Sequence, residues 1–203
     1  MIAICLIGMS GVGKSFWAKR LVEEGFSRRD CDGAIGAHLS DLVDVQPGEE
    51  PVHALGRWMG MPWSDGYRER EAQYLALEER VTQEALVRLV DRTVIDATGS
   101  VVYLSSALQA ELRAKTRVVH LRTPKERYPA MLERYLAEPK PVVFGDAFAV
   151  EPGEAPEAAL PRCYERLLLE RSARYDALSH VSIDIRDLEG ALGVDALLRE
   201  AKL

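Results

Sequence analysis

Eight consecutive residues constrain this chain more than any others. Gly8-Met9-Ser10-Gly11-Val12-Gly13-Lys14-Ser15 fits the pattern G-x-x-x-x-G-K-[S/T]. The stretch follows a short apolar run with β-branched residues, 2–7, of the kind that a central parallel strand buried on both faces requires. It opens a helical pattern from 14 to about 24, with Phe16, Trp17, Leu21 and Val22 as the expected buried set and Gly25 as its end. Gly8, Gly11 and Gly13 let the backbone bend so that several N–H groups point inward. The helix N-terminus adds partial positive charge beneath a phosphate. Lys14 has the reach for the β- and γ-phosphates of ATP, and the Ser15 hydroxyl is a Mg²⁺ ligand in this chemistry. Val12 and Phe16 complete the expected nucleotide-binding stretch.

Further strand patterns fall near 26–29 and over 93–97, 117–121 and 181–185. Between them lie a long amphipathic pattern over 67–90, with Leu77, Val81, Ala85 and Leu89 on its apolar side, and a second helical pattern over about 162–178. Another helix is expected after 122, with Thr123 at the N-cap, Pro124 at the first helical position and Glu126 completing a capping box. A last helix closes the chain. Strands alternating with helices predict an α/β fold of three layers, a five-stranded parallel sheet flanked by helices. With 203 residues, the chain has the length for one well-buried domain, 1–203. Two stretches interrupt it. Residues 44–66 hold four glycines, three prolines (Pro47, Pro51, Pro62) and two tryptophans, which predicts an irregular excursion. Residues 137–161 contain five prolines and predict a long, partly mobile lid.

Composition narrows the partners. The net charge is -6 and no basic-aromatic patch stands out, so nucleic acid is not an expected partner. Three widely spaced cysteines without metal-ligand spacing are expected to be reduced thiols in a cytoplasmic protein. The apolar N-terminus lacks a basic flank and a cleavage site, so no signal peptide is expected, and no apolar run approaches the ~20 residues needed to span a bilayer. The expected state is a monomer or weak dimer.

Three more groups of residues carry chemistry. Asp30 and Asp32 follow the second strand, at the sheet edge where ligands collect. Such a pair holds Mg²⁺-bound water or orients an acceptor hydroxyl; turn formation by Asp-Cys-Asp-Gly is the plainer alternative. Arg68 and Glu71 open the long helix three residues apart, which also fits a surface ion pair. Val94-Ile95-Asp96-Ala97-Thr98-Gly99-Ser100 ends a strand in an acid and a glycine turn. Asp96 stands where a carboxylate serves Mg²⁺ or its water shell, and Gly99 permits close approach of a ligand to backbone.

Together these residues resemble the shikimate kinase family. The phosphate loop matches fully, D-x-D appears as Asp30-Cys31-Asp32, and F-R-x-x-E appears as Tyr67-Arg68-Glu69-Arg70-Glu71. The segment 167–178 resembles the family's arginine-containing stretch, with Arg171 and Tyr175 at its arginine and tyrosine. The resemblance implies a fold like that of shikimate and nucleoside monophosphate kinases. It also implies that Asp32 contacts the acceptor hydroxyl while Arg68 and Arg171 clamp a substrate carboxylate, an arrangement that suits two guanidinium forks. Arg134 is the lid-side arginine expected over the adenine. The family's triple glycine is reduced here to Thr98-Gly99-Ser100, and its lid arginine becomes Lys140, which keeps the charge but loses the fork. Both 44–66 and the lid look longer than is usual in that family.

The expected function is therefore transfer of the γ-phosphate of ATP, with Mg²⁺, to a hydroxyl of a carboxylate-bearing small molecule. Lys14, Asp32 and Lys140 would be the catalytic residues. Asp32, Arg68, Gly99 and Arg171 would bind the acceptor, and Ser15, Asp30 and Asp96 would serve the metal. Two alternatives stay open: a nucleotide-binding regulatory protein with little turnover, and a kinase of another acceptor such as a sugar acid or nucleoside.

Overall fold

Alternation along the first strand sets the layering. In β1 (Ala3–Ile7), Ile4 and Leu6 enter one core while Cys5 and Ile7 enter the other, and all four are fully buried. The computed structural model describes residues 2–46, 48–190 and 194–202. Its sheet is parallel throughout, in the order β2-β3-β1-β4-β5, with β2 at Ser27–Asp30, β3 at Thr93–Asp96, β4 at Arg117–Arg122 and β5 at Val181–Asp184. The first face is covered by α1 (Lys14–Glu23) and α8 (Asp195–Glu200). The second face carries α2 (Cys31–His38), α3 (Pro51–Met59), α4 (Tyr67–Val87), α5 (Ser106–Lys115), α6 (Tyr128–Ala137) and α7 (Pro156–Leu178). The predicted five-stranded, three-layer α/β fold is therefore present. The chain reverses its direction of winding at β1, between β3 and β4, and the glycine loop leaves the sheet there.

Several local expectations are corrected. In α1, Trp17, Ala18 and Leu21 are buried, but Phe16 and Val22 are 54% and 45% exposed, because the sheet covers only one stripe of the helix. The Asp-Cys-Asp-Gly turn is instead the start of α2. Asp30 caps it, its Oδ1 accepting from the Gly33 amide at 3.0 Å. The 44–66 excursion contains α3, which begins at Pro51 and buries Ala54, Leu55 and Met59; Pro47 lies outside the described residues. Thr123 does not cap a helix. Pro124 takes an extended ψ of 144°, a 3₁₀ turn occupies Lys125–Arg127, and α6 begins only at Tyr128.

The 137–161 lid ends early because Pro156 starts α7, and Pro161 costs that helix one early backbone bond without breaking it. Its centre is not a solvent loop: Val142, Val143, Phe144 and Ala147 are all at most 5% exposed. α5 has no counterpart among the sequence expectations.

Candidate functional site

The loop between β1 and α1 is built by left-handed glycines, with φ of 144° at Gly8, 77° at Gly11 and 103° at Gly13, the N-cap of α1. A Cβ on Gly8 would lie 2.6 Å from the Leu121 carbonyl oxygen, so the loop can seat against β4 only with glycine there. Lys14 turns back over the loop, and its Nζ donates to the carbonyls of Gly8 and Met9 at 3.0 Å each. Burial pushes its pKa below the usual lysine value, while Asp96 and Asp32 pull it the other way.

This loop floors a cleft of about 540 Å³ at the C-terminal ends of the strands. The cleft is lined by Gly11, Gly13, Lys14, Ser15, Phe16, Asp30, Asp32, Gly99, Arg134, Lys140 and Arg171 among the expected site residues. These come from eight different elements and turns. Lys19, Arg28, Glu50 and Tyr74 also line it and were not foreseen. Counting Lys14, Lys19, Arg28, Arg134, Lys140 and Arg171 against Asp30, Asp32 and Glu50, the cleft is locally positive in a chain of net charge -6. That polarity suits phosphates.

Gly8, Val12, Arg68 and Asp96 do not line the cleft. Gly8 shapes the loop as described, and Val12 packs between the two cores while its amide donates to the Met9 carbonyl. Arg68 keeps 55% of its side chain in solvent. Its Nη1 donates to Glu71 at 3.0 Å and to the Gly145 carbonyl at 2.9 Å. Arg171 is the opposite case: it is 4% exposed, donates to the Val143 carbonyl at 2.6 Å and lies 5.2 Å over the Tyr103 ring. The two arginines thus do not meet in the cleft: both bond lid carbonyls, Arg171 from the cleft wall and Arg68 from outside it.

Asp32 is half-buried, and its Oδ1 accepts from the Tyr74 hydroxyl at 2.9 Å. Burial pushes its carboxyl above the usual range, opposed by Lys14 and by that hydrogen bond. Asp96 faces a different neighbour. Register places it beside Asp30, and Arg28 bridges the two, at 2.5 Å from Asp96 and 3.1 Å from Asp30. A carboxylate so engaged by a guanidinium is poorly placed for direct Mg²⁺ ligation. Among the described residues no cluster of three or more His, Cys, Asp or Glu has metal-holding geometry. An ion held chiefly through nucleotide phosphates would need few protein ligands, and the Ser15 hydroxyl lines the cleft.

The α4 side of the cleft, where Tyr74 lines it, is less legible from sequence. Tyr67, Glu71, Tyr74 and Glu78 follow one another at helical spacing down α4, and all are buried. A polar stripe on the buried side of a helix was the available signal for Tyr74 and Glu78. The turn 98–100 rests on this stripe.

No protein-family model and no curated protein matches the chain. Solved structures do. The shikimate kinase from Acinetobacter baumannii in complex with shikimate superposes with a TM-score of 0.60 and 22% identity, over 91% of this chain and 83% of that one. It has the shikimate kinase fold. The enzyme from Bacteroides thetaiotaomicron matches 100% of this chain and 99% of its own, at a TM-score of 0.63 and 16% identity. That from Aquifex aeolicus matches 90% and 86%, at 0.56 and 17%. At these identities the shared property is the shikimate kinase fold, and the departures at Thr98, Ser100 and Lys140 lie within it.

Proposed function

We propose that the chain is an ATP-dependent phosphotransferase that moves the γ-phosphate onto a hydroxyl of a small anionic metabolite. The observation that carries this is the convergence of Lys14, Ser15, Asp32, Lys140 and Arg171 on one positively lined cleft at the phosphate loop. In this reading the loop amides and Lys14 hold the phosphates, and Arg134 lies beside the loop at Gly11, toward the nucleotide. Mg²⁺, held through phosphates and Ser15, would spread the charge of the transferring group. Asp32 orients the acceptor hydroxyl and takes up its proton; its raised pKa and its Tyr74 partner suit a base that must hold one orientation. Lys14 and Lys140 balance the transferring charge, so catalysis is mainly positioning and electrostatics.

Arg171 and Lys140 are cleft cations suited to meet an acceptor carboxylate, so shikimate is the first acceptor to try, followed by other hydroxy acids and then neutral polyols and nucleosides. The regulatory alternative draws on the Arg28 bridge, which takes Asp96 out of direct metal chemistry. Acceptor-dependent ADP release decides between them. Lys14→Ala is expected to abolish turnover and weaken ATP-Mg²⁺ binding in calorimetry. Equal affinity and equal rates in this variant would remove the reading.

A further inference from the structure

The 98–100 turn brings a ligand-facing glycine against an unusually placed carboxylate. Glu78 is 0% exposed, in the middle of α4. The Thr98 hydroxyl donates to its Oε1 and the Ser100 hydroxyl to its Oε2, so one carboxylate spans the turn from both sides. The Ser100 amide closes the brace by donating to Thr98 Oγ1 at 3.2 Å. Between the two hydroxyl residues stands Gly99, whose carbonyl accepts from the Tyr175 hydroxyl. Gly99 lines the cleft, and a Cβ built on it would lie 3.3 Å from Nη1 of Arg171 and 3.5 Å from the Ser10 nitrogen. The backbone of this turn therefore sits where the phosphate loop and the one buried arginine of the cleft meet.

Burying a carboxylate this deeply is costly unless both oxygens are satisfied. An apolar side chain would fill the same place under the turn at lower cost, but it would leave the two hydroxyls, 3.2 Å apart, with only each other as side-chain partners and the turn without its anchor on α4.

We propose that Glu78 is a positioning residue for the phosphoryl acceptor: by gripping Thr98 and Ser100 it fixes the Gly99 backbone as the acceptor-facing wall beside Arg171. The proposal rests on the phosphotransferase reading and adds a residue to it. Glu78 touches neither nucleotide nor acceptor; it acts through the turn. The titratable and charged groups that reach it are Cys31 and Asp32 from α2, Tyr74 from its own helix, and Arg171 and Tyr175 from α7.

The test uses the full chain with ATP-Mg²⁺ and the best acceptor of the panel, in wild type, Glu78→Leu and Glu78→Gln. Glu78→Leu removes both acceptor oxygens; Glu78→Gln keeps the shape and one of them. The expected result is an acceptor KM raised about tenfold or more in Glu78→Leu, the equivalent of one lost oriented contact. Glu78→Gln should fall between that variant and wild type, with the ATP Kd within about twofold in both. Circular dichroism checks that each variant is folded; if Glu78→Leu is not, the same ratio is taken from Glu78→Gln. An unchanged acceptor KM in a folded variant overturns the proposal. So does a parallel loss of ATP and acceptor affinity, which would make Glu78 plain scaffold. Wild-type protein that releases ADP with no acceptor on the panel overturns the phosphotransferase reading beneath it, a result distinct from turnover that is indifferent to Glu78.

Discussion

Arg171 and Arg68 carry the same charge and have opposite surroundings, and the difference decides what each is expected to do. Arg171 is buried in the cleft wall, where a lost charge-assisted hydrogen bond is worth about 1.5–3 kcal/mol, roughly ten- to a hundredfold in binding. Arg171→Lys keeps the charge but not the fork, so acceptor KM is expected to rise about tenfold while ATP affinity stays near wild type. Arg68 is itself half in solvent but pairs with the buried Glu71 and with the Gly145 carbonyl, so Arg68→Ala is expected to cost about 1.5–3 kcal/mol of stability while changing acceptor KM by less than about twofold. Steady-state kinetics on both variants checks this, and a larger effect at Arg68 than at Arg171 would restore the clamp. Glu78 gives a second residue-scale prediction. Burial raises its pKa to about 7, above the usual 4.5, although the Ser100 and Thr98 hydroxyls pull it down. A carboxyl raised on folding contributes stability that is present below its unfolded pKa and is lost as pH climbs through the folded one. The cost at high pH is on the order of 3 kcal/mol. Glu78→Gln should therefore gain on wild type in denaturant unfolding between pH 5 and pH 8, and a pH-independent difference would contradict the burial argument.

At the scale of elements, the N-terminus of α4 and the lid form one latch. The Tyr67 hydroxyl lies 2.7 Å from the Val142 carbonyl and 2.8 Å from Glu71 Oε1, and it accepts from the Phe144 amide at 3.0 Å. The Gly145 amide donates to the same Glu71 oxygen at 2.9 Å. Tyr67→Phe removes the centre of this network and leaves the Phe144 N–H and the Val142 carbonyl buried without it. A loss of about 2 kcal/mol is expected, a fall in Tm of roughly 4–8 °C for a chain this long, read by calorimetry. Hydrogen exchange places the motion. Residues 142–145 should be protected with or without nucleotide and acceptor, and ligand-dependent protection should be confined to 137–141, the part that carries Lys140. Uniform ligand dependence from 137 to 155 would mean that the latch opens. α3 bears on the same hinge: a Cβ on Gly56 would lie 2.2 Å from the Pro139 carbonyl oxygen, so helix and lid base meet backbone to backbone. That contact joins two stretches whose proline and glycine content made both look irregular.

For the whole molecule, the two cores divide the labour. The smaller one holds α1 and α8 to the back of the sheet, and the larger one carries the helices and the lid that surround the cleft. Ligand that binds only this folded arrangement stabilises it by mass action, about 2.7 kcal/mol at a hundred times Kd. ATP-Mg²⁺ at that excess is expected to raise the Tm of wild type by several degrees and to leave Lys14→Ala nearly unmoved. Equal shifts in the two proteins would place nucleotide binding away from the phosphate loop. Among the described residues no helix is long and apolar enough to cross a membrane.

The sequence by itself determined the phosphate loop, the five strands and the parallel α/β layering. Each depends on short-range pattern: apolar runs for strands buried on two faces, and glycines with Lys14 and Ser15 at fixed spacing for an anion. It also placed Asp32, Gly99, Lys140 and Arg171, because each follows a strand, sits in the lid or lies on a helix that the topology brings to the same sheet edge. α2 and α3 were hidden because their short apolar sets lie among glycines and prolines, and only packing on the larger core selects the helix. The roles of Arg68, Arg28 and Glu78 were decided by tertiary structure alone. Each is charged, and what a charged side chain does depends on the partner that reaches it: the Gly145 carbonyl 77 residues away for Arg68, Asp96 at 68 for Arg28, and the Thr98 and Ser100 hydroxyls at 20 and 22 for Glu78. Local sequence carries no record of such distant contacts, since a charge is solvated equally well by water until folding removes the water and leaves the partner.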